Sequence, residues 1–386
     1  MPQLKPKEAA ELAEEVYAVN RGPIDMEIFL SRPEFSRSPN SKHELKAEVG
    51  SRLIHTKDAF GICAHGGQTH ENEIFIIFRG STKLKADWMS NARIGIQPST
   101  SGWPVHIGFN SVFKSMLPQI KEFLRGANNT ATIHCIGHSL GGAVATLAAD
   151  WLANNKAHPV NLYTFGAPKP GLMLFASNIT KKVGKANIFC VYHATDPVPM
   201  VPLFPYIQPP LPGFGHYLPS SESIPSAGAH DISKYAKDVS NLTWDDMLRR
   251  RQPYSIESAV KFWLESKSPV HAGSHRIWDW INSALIFVLT KISGALIGTL
   301  QAGLMGALTL ADTLAWMLSK GIEFSEKSGL SNIGRWVFLL MNKIMQVLGM
   351  GIPDESIEMT QVFMRNVLNK LITRTNEQAQ RAVSGT

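Results

Sequence analysis

Two rhythms of hydrophobic and polar positions run along this chain. Short, nearly unbroken apolar runs rich in β-branched residues recur at residues 59–65, Glu73–Phe78, 130–136, 161–165 and 187–192. Runs of this length without polar alternation suit strands covered on both faces of a sheet. Between them, apolar residues recur at helical spacing: Ala10, Leu12, Ala13 and Val16 within residues 6–19, and Val112, Met116, Ile120 and Leu124 within residues 111–124. Strands alternating with helices, with glycines and acids where the strands end, predict an α/β fold built on a mostly parallel sheet. From about residue 277 the pattern changes. Residues 292–311 carry no charge, and the run matches the roughly 20 residues that a bilayer-spanning helix needs. Gly294, Gly298, Ala302 and Gly306 recur there at every fourth position, a face on which helix backbones approach closely. A second apolar stretch covers residues 336–350, with Lys343 inside it. Residues 354–374 read as a helix with Met359, Phe363, Val367 and Leu371 on one stripe and Asp354 as its N-cap. The division expected is a domain over residues 1–266 and a hydrophobic helical module over residues 267–386. Two readings of that module stay open: a membrane-engaging segment, or a helical cap packed on the first domain.

The chemistry gathers at one strand-to-helix junction. Residues 130–136 lead in as a strand, small helix-compatible residues from Gly141 to Ala149 lead out, and Gly137-His138-Ser139-Leu140-Gly141 lies between. A strand turning abruptly into a helix strains its corner residue, and glycines flank it because a side chain there would strike the neighbouring strand or helix. The corner presents Ser139 as a nucleophile beside the free N–H groups of a helix N-terminus.

A serine at neutral pH needs a base, and the base needs an orienting acid. Asp196 ends the run 187–192 and stands before Pro197, in the chain order Ser…Asp…His of the α/β-hydrolases. His216 and His230 both follow within reach. His230 is favoured because it heads Asp231-Ile232-Ser233-Lys234-Tyr235, a loop entering a helix, whereas His216 lies in a short strand. His134 and His193 sit on strands, and His138 is expected to pack beside the elbow. An oxyanion hole would draw on the N–H of Leu140 and on Arg79-Gly80-Ser81, where Ser81 offers N–H and hydroxyl. Residues 197–219, rich in proline and aromatic rings, would either wall an acyl-chain pocket or merely cover the core.

Composition narrows the partners. Hydrophobic residues make up 44% of the chain, charged residues only 18%, and the formal charge is +7. A basic surface draws anionic partners, and without basic runs interleaved with aromatics a lipid surface is expected rather than nucleic acid. Cys63, Cys135 and Cys190 lie scattered in apolar runs and read as buried thiols, with no zinc spacing. No metal or cofactor is expected. The polar opening Met1-Pro2-Gln3-Leu4-Lys5-Pro6-Lys7-Glu8 lacks the apolar segment of a secretory signal. The expectation is synthesis in the cytoplasm without a signal peptide, followed by membrane association or export by a signal-independent route.

Taken together, Phe78-Arg79-Gly80-Ser81, Asp87-Trp88, Val105-His106-Ile107-Gly108-Phe109, Gly137-His138-Ser139-Leu140-Gly141-Gly142, Thr164-Phe165-Gly166-Ala167-Pro168, Asp196-Pro197-Val198-Pro199 and His230-Asp231-Ile232-Ser233-Lys234-Tyr235 resemble the class 3, fungal-type lipases over about residues 59–235. The resemblance implies an α/β-hydrolase fold, Ser139, Asp196 and His230 as a catalytic triad, Ser81 and Leu140 as oxyanion donors, and a lid over residues 83–91. It implies a serine lipase or phospholipase that cleaves acyl esters of membrane lipids through an acyl-enzyme. The alternatives are an esterase of small soluble esters, or a membrane-inserting toxin or anchor with an auxiliary lipase domain. The missing signal and the hydrophobic module further resemble lipase effectors of type VI secretion, which implies an inhibitory protein as a partner.

Overall fold

The computed structural model describes residues 2–38, 40–49, 56–81, 95–155, 158–211, 215–220, 222, 224–248, 257–266, 273–274, 276–292, 309–328, 332–351 and 359–385. Seven strands form the central sheet: β1 (Lys42–Val49), β2 (Thr56–His65), β3 (Glu73–Phe78), β6 (Thr132–His138), β7 (Val160–Phe165), β9 (Ile188–His193) and β11 (His216–Leu218), adjacent in that order. The pairings β1–β2 and β2–β3 are antiparallel, and the remaining four are parallel. Every residue of β3, β6 and β7 is buried, as their largely apolar runs lead one to expect. A small sheet of β4 (Ile96–Pro98), β5 (Pro104–His106), β8 (Gly171–Leu172) and β10 (Tyr206–Ile207) lies beside it.

Helices cover both faces. One face is packed by α3 (Ile107–Phe123), α4 (Leu140–Asn155) and α5 (Met173–Val183) around Phe113, Met116, Val144 and Ile179. The other carries α1 (Pro6–Glu15), α2 (Pro23–Leu30), α6 (Ile232–Val239) and α7 (Trp244–Leu248) around Leu12, Phe29, Tyr163 and Tyr235. The helix expected over 6–19 ends at Glu15 and tightens into a 3₁₀ turn, Val16–Asn20. The helix expected from 111 begins at Ile107, because the His106 ring nitrogen accepts from the N–H groups of Gly108 and Phe109 (3.1 and 3.4 Å) and caps it.

The C-terminal helices are α8 (Glu257–Glu265), α9 (Arg276–Lys291), α10 (Leu310–Ser328), α11 (Asn332–Val347) and α12 (Gln361–Ser384). Their apolar stripes bury one another and also Leu172, Leu203, Phe204 and Tyr206 of the sheet-bearing part. Val260 and Leu264 of α8 join the same cluster. Lys343, the charge inside the apolar stretch, is buried and donates to the Ser266 carbonyl at 2.7 Å. The last helix starts at Gln361 with Thr360 as cap, not at Asp354, which lies outside the described residues. The uncharged run is described only at its ends, so Gly294, Gly298, Ala302 and Gly306 also lie outside them. Among the described residues no helix is long and apolar enough to cross a membrane.

An ion-pair cluster ties α1 to the start of the sheet. His70 donates from Nε2 to Glu8 and from Nδ1 to Glu73, both at 2.7 Å, and His134 Nε2 donates to Glu73 at 2.9 Å. The bonds to Glu73 and Glu8 raise the His70 pKa from 6.5 to about 10. Burial pushes the Glu73 carboxyl up, but the bonds from His134 and His70 outweigh it and hold the pKa at about 2 rather than 4.5. A raised histidine stabilises the fold fully below its unfolded pKa and ceases to as pH rises through its folded value. A lowered carboxyl contributes above its unfolded pKa and ceases to as pH falls through its folded value. The cluster is therefore fully stabilising between about pH 4.5 and 6.5. His70→Gln is expected to cost about 1–3 kcal/mol at pH 6, with the difference in Tm from wild type shrinking as pH rises towards about 10. Thermal melts of both proteins across that range check it.

Candidate active site

Ser139 stands between the end of β6 and the first residue of α4, with φ +55°, one of the few non-glycine residues on the left-handed side. A Cβ on Gly137 would sit 2.3 Å from the Gly141 carbonyl oxygen, and one on Gly141 would sit 2.3 Å from that of Phe78. The two glycines thus let strand, elbow and helix approach within backbone contact, and the corner holds a strained serine.

His230 ends a 3₁₀ turn, Ala227–His230, just ahead of α6, which Asp231 caps by accepting from Ser233 N–H. Its Nε2 lies 2.9 Å from Ser139 Oγ, and its Nδ1 lies 2.8 Å from Asp196 Oδ2. The Asp196 carboxylate accepts two further bonds, from Tyr235 O–H at 2.7 Å and from Val198 N–H at 2.9 Å. All three side chains are at most 4% exposed. With the carboxylate accepting from Nδ1–H, the proton-free nitrogen is Nε2, which accepts from the serine hydroxyl. Gly166 (φ +57°) makes room for this pairing, since a Cβ there would lie 2.7 Å from Asp196 Oδ2 and 3.1 Å from His230 Nδ1.

His216 is not brought to this group. It lies buried in β11 against the rings of Phe189 and Trp244, and burial lowers its pKa to about 4. His193 is bonded to the Ala229 carbonyl and Asp238, steadying the turn before His230.

The loop after β3 approaches the elbow under several restraints. Buried Arg79 pairs with Asp58 at 2.8 Å and donates to the carbonyls of Ala59 and Gly80. Gly80 N–H donates to Tyr17 Oη at 3.0 Å, so that N–H is committed and is not an oxyanion donor. Ser81 follows directly, and Leu140 opens α4, where an N–H has no intrahelical acceptor. Asp87, Trp88 and the rest of the expected lid lie outside the described residues.

Tyr17 and His138 have roles that their sequence positions concealed. The His138 ring bonds Tyr17 Oη through Nδ1 and the His230 carbonyl through Nε2, both at 2.8 Å. A carbonyl only accepts, so Nε2 carries the proton, and Nδ1 accepts from the Tyr17 hydroxyl. Burial, reinforced by the neighbouring His230, holds the His138 pKa well below the usual histidine value, which keeps the ring neutral as this arrangement needs. A chain of bonds thereby runs from Gly80 through Tyr17 and His138 to His230. The histidine inside the G-x-S-x-G was the only signal for it, and nothing in the stripe of α1 marked Tyr17.

Residues 75–206 match the family described as lipase (class 3). Over those residues the chain resembles the class 3 lipases. Ser81, Ser139 and Asp196 fall inside the matched residues, and His230 falls beyond them. A secreted mono- and diacylglycerol lipase 1 from Fusarium solani is 33% identical over 169 residues, covering 42% of this chain and 49% of that one. A secreted mono- and diacylglycerol lipase A from Penicillium cyclopium is 30% identical over 182 residues, covering 44% and 56%. The chain thus spans about half the length of these curated relatives. A lipase structure from Rhizopus microsporus var. chinensis aligns with a TM-score of 0.41 at 23% identity, covering 56% of this chain and 75% of that one.

The two fungal relatives correct one expectation. They are named as secreted lipases, which overturns the reading of a chain made in the cytoplasm without a signal peptide and exported by a signal-independent route. That reading took the polar opening residues as a targeting signal's absence. They are instead part of the folded domain: Leu4 is buried and its N–H donates to Tyr163 Oη at 2.9 Å.

Proposed function

We propose that this chain is a serine carboxylic-ester hydrolase acting on acyl esters of lipids, with Ser139, His230 and Asp196 as its triad. The observation that carries the reading is the unbroken bond sequence Ser139–His230–Asp196 at a strained elbow. Ser139 Oγ attacks the ester carbonyl carbon as His230 Nε2 takes the hydroxyl proton. The C–O bond to the alcohol then breaks, and His230 returns the proton to the departing oxygen. Water repeats the sequence on the acyl-enzyme and releases the carboxylic acid. Asp196, saturated by three donors, holds the His230 ring in the productive tautomer and stabilises its charged form. Leu140 N–H and Ser81 stabilise the oxyanion. The names of the two fungal relatives support glycerol esters as the substrate class.

The second part is proposed as a helical cap, with the division at residue 266 moved ahead of α8, whose Val260 and Leu264 pack with the later helices. In support, the described C-terminal helices bury their apolar stripes in a cluster shared with Leu203, Phe204 and Tyr206. Product analysis on vesicles of defined acylglycerols and phospholipids tests the substrate class. Release of fatty acid from vesicles is expected; turnover confined to short water-soluble esters would contradict it. Ser81→Ala is expected to lower kcat by about 10²–10³ with KM little changed, because the oxyanion exists only in the transition state. Steady-state kinetics decide it, and a pure KM effect would make Ser81 a substrate-binding residue.

A further inference from the structure

A cavity of about 530 Å³ lies at the seam between the sheet-bearing part and the C-terminal helices α8 and α9. Asp196 lines it but Ser139 and His230 do not; the proline-rich loop after Asp196 forms one wall and α8 and α9 the other. Most of its lining is apolar, with Met200 and Ile207 facing Val260, Ile286 and Phe287. Four charged side chains also line it: Asp196 is bonded to His230, Glu257 pairs with Lys261 and Lys291, and Lys169 and Asp279 remain. Lys169 is 9% exposed and spends one ammonium proton on the Met200 carbonyl at 2.9 Å. The Asp279 carboxyl has neither an ion pair nor a side-chain hydrogen bond among the described residues, though Arg276 as well as Lys169 acts on it at longer range. Each charge influences the other, yet they do not touch. Burial lowers the Lys169 pKa to about 8 and raises that of Asp279 to about 6. Beside them, Asn282 fixes the loop by accepting from Phe204 N–H at 3.1 Å, and the Trp278 indole N–H is buried without an acceptor among the described residues.

Separated, buried charges of opposite sign are costly unless something polar bridges them. We propose that this cavity binds a single-chain amphiphile with an uncharged, hydroxylated head, of the monoacylglycerol class. A hydroxyl both donates and accepts, so adjacent hydroxyls bridge an ammonium and a carboxylate. Because the pair is neutral in sum, a neutral head adds no uncompensated charge, whereas a fatty-acid carboxylate would face Asp279. The remaining wall accepts one aliphatic chain, and the volume lies within the roughly 300–1,000 Å³ of small-molecule pockets. The inference does not depend on what Ser139 hydrolyses.

The test is calorimetric titration of the full chain with 1-O-decylglycerol, a non-hydrolysable ether, below its micelle concentration. Saturable binding is expected. Asp279→Asn and Lys169→Met should each weaken it about tenfold or more, as loss of a buried hydrogen bond to a charged group does. Ile286→Trp should abolish it by filling the chain channel. Turnover of a soluble short-chain ester and thermal melts report that the variants fold. Absence of binding to wild type overturns the proposal, as does binding that survives both Ile286→Trp and Asp279→Asn. Decanoate binding as tightly as the ether would overturn the choice of head group.

Discussion

Ser139→Ala is expected to abolish ester hydrolysis, with kcat falling by about 10⁴–10⁶, while the protein stays folded. The loss is large because no other hydroxyl is bonded to His230 Nε2 among the described residues. The residual rate would come from oxyanion donors and binding, which still operate on a water attack. The fold should survive because the substitution keeps Cβ and removes one oxygen. The strain at φ +55° belongs to the backbone, and alanine bears it as serine does. The Ser139 backbone bonds, N–H to the Phe165 carbonyl and carbonyl to Gly142 N–H, do not involve Oγ. Initial rates on a soluble ester with a thermal melt check both halves. Turnover above about a tenth of wild type would rule out Ser139 as the nucleophile.

His230→Ala is expected to match that loss, whereas His216→Ala should change kcat by no more than a modest factor. Without the imidazole, Ser139 has no base and the leaving alkoxide no acid, and Asp196 is left as a buried carboxylate held by Tyr235 and Val198 alone. His216 fills space between Phe189 and Trp244, and its Nδ1 has no partner among the described residues. Removing it opens a void and lowers stability by about 2–4 kcal/mol. The two variants should separate by activity: the His230 variant loses kcat by orders of magnitude, whereas the His216 variant keeps kcat nearly unchanged although its Tm falls. An active His230 variant beside an inert His216 variant would reverse the assignment.

What was legible in the sequence follows from how local each signal was. The strands Glu73–Phe78 and Val160–Phe165 were readable because burial on both faces selects mostly apolar residues, with Glu73, Asn161 and Thr164 the buried exceptions. The elbow was readable because its glycines answer to backbone contacts a few residues away. Asp196 and His230 followed from chain order and from the helix that Asp231 caps. Tyr17 was not readable: a helical stripe says which face is buried, not that a hydroxyl at its end reaches Gly80 and His138. The start of α3 was misplaced by four residues because the cap is a histidine, which sequence rules do not favour. The loop after Asp196 could be read either as a pocket wall or as a cover for the core, and the choice was not legible because the opposite wall is supplied by α8 and α9 much later in the chain.

The central claim is that Ser139 becomes covalently acylated. Its most direct test is intact-mass measurement after incubation with diethyl p-nitrophenyl phosphate, which phosphorylates activated serines with release of p-nitrophenol, followed by peptide mapping. The account predicts a stoichiometric diethylphosphoryl adduct on Ser139, loss of esterase activity in step with its formation, and no adduct in Ser139→Ala. An adduct on another residue that tracks the loss of activity, or full activity in protein whose Ser139 is modified, would contradict it.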